Sequence, residues 1–390
     1  MKKHRRRPIL TGGLFSLLTA LMLVAGGCAT FGPRNVPPDQ FNYSEAISRS
    51  TEEQMLLNLV RLRFFKTPVF LSVSSVLTQY NYTGGFGLFG AGVFGASSSV
   101  GGSAALEYSE RPTITYLPIE GKEFAQRLLA PIPVDLIFAL GQAGWPIDDI
   151  MLVGLQQINA VKNMSFGTLP PPGDLERAQQ MERDIQRFEN FRKVIGLMLK
   201  LFDLNLLELQ HRHGSKNGKQ KTGTWPYLVL AKPGRAADRR LLEEFRAALR
   251  LNPQRTEFRV TERLTGRDPD EITIQTRSLL AIMSFLSRGI QVPERIRRDG
   301  WVIGWENAAE AWEARFGKPG YKIPFPFLTQ VSDTRPPDAF VAVKSHGSWF
   351  FIDNRDIMSK RVFSLLSLLF RLLAPGGQGE APVLTLPTGP

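Results

Sequence analysis

One cysteine in 390 residues, Cys28, limits what this chain can fold into. It cannot form an intramolecular disulfide, so neither a disulfide-stapled scaffold nor a cysteine-based zinc module is open to it. Stability has to come from apolar burial, and a chain of this length with 43% hydrophobic residues can bury a large core. The position of the cysteine is equally informative. It closes the uncharged run "ILTGGLFSLLTALMLVAGG", Ile9 to Gly27, which follows the basic head "MKKHRRRP". A basic head, an apolar middle and a small-residue end form the pattern of a cleaved export signal. An uncleaved anchor would need about 20 predominantly apolar residues, and Gly12 and Gly13 interrupt this run.

The stretch "VAGGC", with small Gly26 and Gly27 before Cys28, resembles the lipobox of bacterial lipoproteins. The resemblance covers about the first thirty residues. It implies a signal peptide over 1–27, a diacylglycerol on the Cys28 thiol and acylation of the new amino terminus. Ala29 in place of aspartate resembles lipoproteins forwarded to the outer membrane, with a mature domain on the periplasmic side. Several acyl chains on one residue hold a protein persistently, where a single chain binds only marginally. With its one thiol acylated, the mature chain has no cysteine for metal or nucleophilic chemistry.

The formal charge is +12, from 48 basic and 36 acidic residues. Removing Lys2, Lys3, Arg5, Arg6 and Arg7 with the signal leaves 43 basic residues, or +7. In an envelope protein this surplus reads first as a mildly basic solvated surface and second as a match to anionic lipid, lipopolysaccharide or cell-wall carboxylates, and it points away from nucleic acid.

The mature chain reads as α+β, with mixed helices and short antiparallel strands. Residues 28–41 form a proline-containing tether. A helix is expected from Ser50, whose pairing with Glu53 makes a capping box ahead of Leu56, Leu59, Val60 and Leu62. "VFLSVSSVLTQYNYT", "SVGGSAALEY" and "TITYLP" read as strands, and "GKEFAQRLLA" and "VDLIFALGQAG" as helices. "DDIMLVGLQQINAVK" fits either type. The proline-rich 167–173 is the expected boundary between an N-terminal domain, 42–166, and a C-terminal one, 174–374. The second domain opens on a long amphipathic helix, Asp174 to about Asp203. Strands, helices and a hairpin turning at His346 and Gly347 follow, then a final helix in "MSKRVFSLLSLLFRLLA" and an extended tail, 375–390.

The most unusual segment is "GGFGLFGAGVFGASSSVGG", with eight glycines between Gly84 and Gly102 and the aromatics Phe86, Phe89 and Phe94. It satisfies G-x-G-x-x-G twice, at Gly85, Gly87 and Gly90 and again at Gly90, Gly92 and Gly95. No helix or βαβ unit follows, so these matches reflect composition and no nucleotide cofactor is expected. Phe86, Phe89 and Phe94 are the expected contacts with a membrane or a partner. With its flanks the segment makes a β-hairpin over 69–108, either an ordinary sheet hairpin or one that enters a bilayer in an oligomeric barrel. Ser75, Gln79 and Asn81 interrupt the apolar alternation of its first arm.

Other constellations are thin. His211 and His213 alternate on a strand, but a zinc site needs at least three protein ligands and basic residues surround the pair, so no metal is expected. "GASSSVGG" lacks a G-x-S-x-G elbow. Asp353, Asp356, Lys360 and Arg361 could form a small polar site, although aspartates there more often cap the following helix. The expectation is a non-catalytic, outer-membrane-anchored lipoprotein that binds or assembles envelope components, with a protein partner or further copies of itself. An oligomeric pore or secretion-channel subunit comes second, and a cell-wall or lipid hydrolase third.

Overall fold

A computed structural model describes residues 36–90, 100–164, 175–215, 222–262, 268–302 and 325–373. The class is α+β, as expected. Helix α1, Val36–Arg63, starts upstream of Ser50 and takes in the end of the expected tether. Pro37 and Pro38 lie in its first turn, where backbone N–H groups have no intrahelical acceptor and proline loses nothing. Ser50 and Glu53 therefore sit inside a helix instead of starting one. Contacts divide the chain into two units, Met1–Glu52 and Glu53–Pro390, and every element after α1 belongs to the second.

Strands β1, Leu71–Gly90, and β2, Val100–Pro118, pair as a two-stranded antiparallel sheet. Three short helices come next: α2, Lys122–Leu129, α3, Val134–Gln142, and α4, Ile147–Gly154. The ambiguous segment resolves into both types, α4 running directly into β3, Leu155–Ile158, and then β4, Val161–Lys162. Helix α5, Leu175–Asp203, matches the long helix of the sequence. It is followed by β5, Leu207–Ser215, β6, Thr222–Leu230, helix α6, Ala236–Leu249, and strands β7, Glu257–Thr261, and β8, Glu271–Thr276. Helices α7, Leu279–Leu286, and α8, Glu294–Arg298, lead to β9, Gln330–Ser332, β10, Ala339–Ser345, β11, Ser348–Asp353, and the last helix α9, Ile357–Leu373.

A six-stranded sheet runs β4-β3-β8-β7-β6-β5, antiparallel except for the β7–β8 pair. Its buried positions alternate: Leu228 and Leu230, Phe258 and Val260, Ile272 and Ile274. Helix α5 packs against α6 and against the sheet's outer strands β4 and β5. Phe188, Phe191, Met198 and Leu201 of α5 and Leu242, Phe245 and Leu249 of α6 are buried. The expected linker 167–173 lies outside the described residues. The core on either side of it is continuous, because β3 pairs with β8 and one cluster of buried side chains runs from Met55 to Phe370. Buried side chains and strand pairing thus span both sides of the expected boundary.

The β10–β11 hairpin turns at His346 and Gly347 as expected, both with positive φ (48° and 78°), the backbone that a two-residue primed turn requires. Helix α9 buries Val362, Phe363, Leu366, Leu369 and Phe370, so its apolar character serves the core. No described helix is long and apolar enough to cross a membrane. The expected tail, 375–390, and the expected signal, 1–27, lie outside the described residues.

Candidate functional site

The β1–β2 ladder is continuous from Leu71 opposite Pro118 to Gly90 opposite Val100. Both strands thus run into the glycine-rich segment, and "SVGGSAALEY" and "TITYLP" are one strand. Residues directly opposite each other in an antiparallel pair share a face. A register shift between Val73 and Ser75 inserts one extra residue, and this bulge reverses the alternation beyond it. The consequence is a sorting that the sequence alternation concealed. One face collects Leu71, Val73, Val76, Thr78, Tyr80, Tyr82, Phe86 and Leu88 with Tyr116, Ile114, Glu110, Tyr108, Leu106, Ala104 and Val100, and is mainly apolar. The other collects Ser75, Leu77, Gln79, Asn81, Thr83 and Phe89 with Leu117, Thr115, Thr113, Arg111, Ser109, Glu107, Ala105 and Ser103, and is mainly polar. Ser75, Gln79 and Asn81 therefore do not interrupt the apolar face. They belong to the polar one.

Along the apolar face, the stretch Tyr82–Gly90 with Val100–Tyr108 carries no charge, and Glu110, opposite Tyr80, lies just outside it. Its length matches the roughly nine to eleven residues with which a tilted strand crosses the hydrocarbon of a bilayer. Among the described residues no third strand joins β1 or β2, which leaves both edges with unpaired backbone groups.

The root of the hairpin is held firmly. The Asn58 side chain of α1 donates to the Val69 carbonyl at 2.7 Å and accepts from the Val69 N–H at 2.8 Å. Gln54 accepts from the Leu71 N–H at 3.1 Å, and the Ile119 N–H donates to the Phe70 carbonyl at 2.8 Å. Buried Phe70 stacks on Phe370 of α9 at 4.6 Å between ring centres and meets the edge of Phe124 of α2 at 5.6 Å. Just beyond this anchor Leu71, Ile114, Tyr116 and Leu117 are exposed.

Of the expected contact residues, Phe86 lies on the apolar face, while the register assigns Phe89, opposite Gly101, to the other. Phe94 and the lipid-attachment candidate Cys28 lie outside the described residues. The expected set of three aromatics is thus divided, since positions 86 and 89 differ in parity. Asn58, Gln54 and Tyr82 with Tyr108 were not among the expected site residues. The pairing of the two tyrosines depends on long-range register, which a local pattern does not contain.

Several of the polar residues singled out in the sequence have structural partners. His211 lies 3.2 Å from Asp135, and the described residues hold no cluster of three or more metal-ligating side chains. Asp356 caps α9 through Ser359, Lys360 donates to Asn354, and Arg361 pairs with Asp149, so "DNRDIMSKR" serves the helix start and the core. Asp149 is held above its ordinary range by burial, against which the Arg361 hydrogen bond acts. Ser345 Oγ meets His346 Nδ1 at 2.9 Å, but the other ring nitrogen faces Lys66 at 3.2 Å where a catalytic triad has a carboxylate at the histidine. Burial, then Lys66 and Arg295, push this histidine down. No family model, curated protein or solved structure matches the chain.

Proposed function

We propose that this chain is a non-catalytic outer-membrane lipoprotein, tethered at Cys28, whose β1–β2 hairpin joins those of further copies in a closed β-barrel that lines a pore. The reading rests on one observation: the register sorts the hairpin into a mainly apolar and a mainly polar face, with tyrosines where the uncharged band of the first ends. Barrels that cross membranes alternate apolar-out and polar-in, with aromatic residues at the interface. Two open edges per copy are the second support, because ring closure pairs every edge backbone group and an isolated two-stranded hairpin is marginal in water. The broader expectation of an envelope-binding or assembling component is kept, with further copies as the partner.

The test replaces residues 1–28 with an ordinary cleavable export signal and sizes the product, in parallel with the native chain in liposomes. A detergent-requiring oligomer and dye leakage are expected, with leakage lost when residues 84–102 are deleted or Leu106 is changed to Arg. A soluble periplasmic monomer, or leakage indifferent to Leu106→Arg, refutes the barrel.

A further inference from the structure

A cavity of about 420 Å³, within the range of small-molecule sites, opens beside α7 on the six-stranded-sheet side of the core. Arg277, Ala281, Ser284 and Arg288 line it, spaced by four, three and four residues, so a single face of α7 and its flanks supplies them. Leu129, Met164, Leu280 and Phe285 complete an apolar wall. The cavity's charge is unbalanced. Arg277 is 5% exposed and donates to the carbonyls of Leu152, Val153 and Met164 at 3.2, 2.9 and 2.7 Å, with its guanidinium 4.0 Å from the centre of the Phe285 ring. These contacts satisfy donors and leave the charge uncancelled, because Arg277 forms no ion pair among the described residues. Arg288, half-buried on the same wall, has neither a hydrogen bond nor an ion pair among them. Buried charges are costly unless paired.

We propose that this cavity binds a single-chain amphiphilic anion, with its phosphate or carboxylate at Arg288 and Arg277 and its chain along the Leu129, Leu280 and Phe285 wall. Burial pushes Arg277 down to about 9 and Arg288 below its ordinary value, a displacement that a bound anion would reverse. Ser284 and Gln156 stand at the exposed side of the lining, where a polar head can be reached from water. The site is independent of the hairpin.

The experiment titrates the full-length protein in phosphatidylcholine nanodiscs by calorimetry, against empty discs. The probes are octyl phosphate, octanoate, inorganic phosphate and the uncharged octyl glucoside. Saturable binding of octyl phosphate or octanoate is expected, and whichever binds identifies the head group. Arg288→Gln is expected to weaken it at least tenfold with an unchanged melting temperature, and Ser284→Trp to block it. Because Arg277 also ties three carbonyls together and its loss threatens folding, these two variants carry the test. The proposal fails if neither charged amphiphile binds above empty discs, or if Arg288→Gln binds equally well. It also fails if octyl glucoside matches the anions, or if inorganic phosphate matches octyl phosphate.

Discussion

Three residues determine how firmly the hairpin root and the core beside it are held. Asn58 imitates a neighbouring strand by giving Val69 both a donor and an acceptor. Truncating it strands two backbone groups, so Asn58→Ala is expected to cost about 1–3 kcal/mol in urea unfolding and to speed proteolysis near Val69. At Gly289, a Cβ would lie 1.8 Å from the Phe327 carbonyl oxygen, whose backbone has to move to admit it. Gly289→Ala is expected to destabilise by about 3 kcal/mol or more, visible as a lowered melting temperature. His346 carries a pH dependence. Its ring stacks on Phe64 at 4.2 Å beside Lys66 and Arg295, and its pKa is depressed in the folded chain. The unfolded chain therefore binds the proton more readily. The stability this ring contributes is present above its unfolded value of about 6.5 and is lost as pH falls through the lower folded value. Unfolding followed from pH 7.5 to 5 is expected to show that slope, and His346→Asn, which tolerates the positive φ, to flatten it.

At the scale of elements, much was legible wherever the pattern is local. The α5 helix, the His346–Gly347 turn and the final helix α9 all follow from spacing within one segment. Strand β8, in which Ile272 and Ile274 alternate, was not read from the sequence, and its parallel pairing with β7 could not be inferred, because sheet order is a property of distant chain segments. The hairpin is the instructive miss. Reading Ser75, Gln79 and Asn81 as breaks in one apolar face presumes unbroken alternation, and the extra residue before Ser75 undoes that presumption. The register is directly testable. Thr83→Cys with Glu107→Cys is expected to oxidise to an intrachain disulfide, whereas Thr83→Cys with Leu106→Cys is not. A one-residue slip would exchange the two outcomes along with the two faces.

For the molecule as a whole, in the barrel proposed above the open edges of β1 and β2 set the valence of assembly. A copy with two edges bonds to two neighbours and no more, so copies add to an arc whose size is decided by curvature, and the arc stops growing only when its ends meet. Such a process can be poisoned. A copy with one edge blocked by proline terminates an arc as a capped monomer terminates a polymer, and a ring of many copies fails if any one of them is capped. Leakage from liposomes containing mixtures is therefore expected to fall much faster than the fraction of intact chains, and the steepness of that fall counts the subunits.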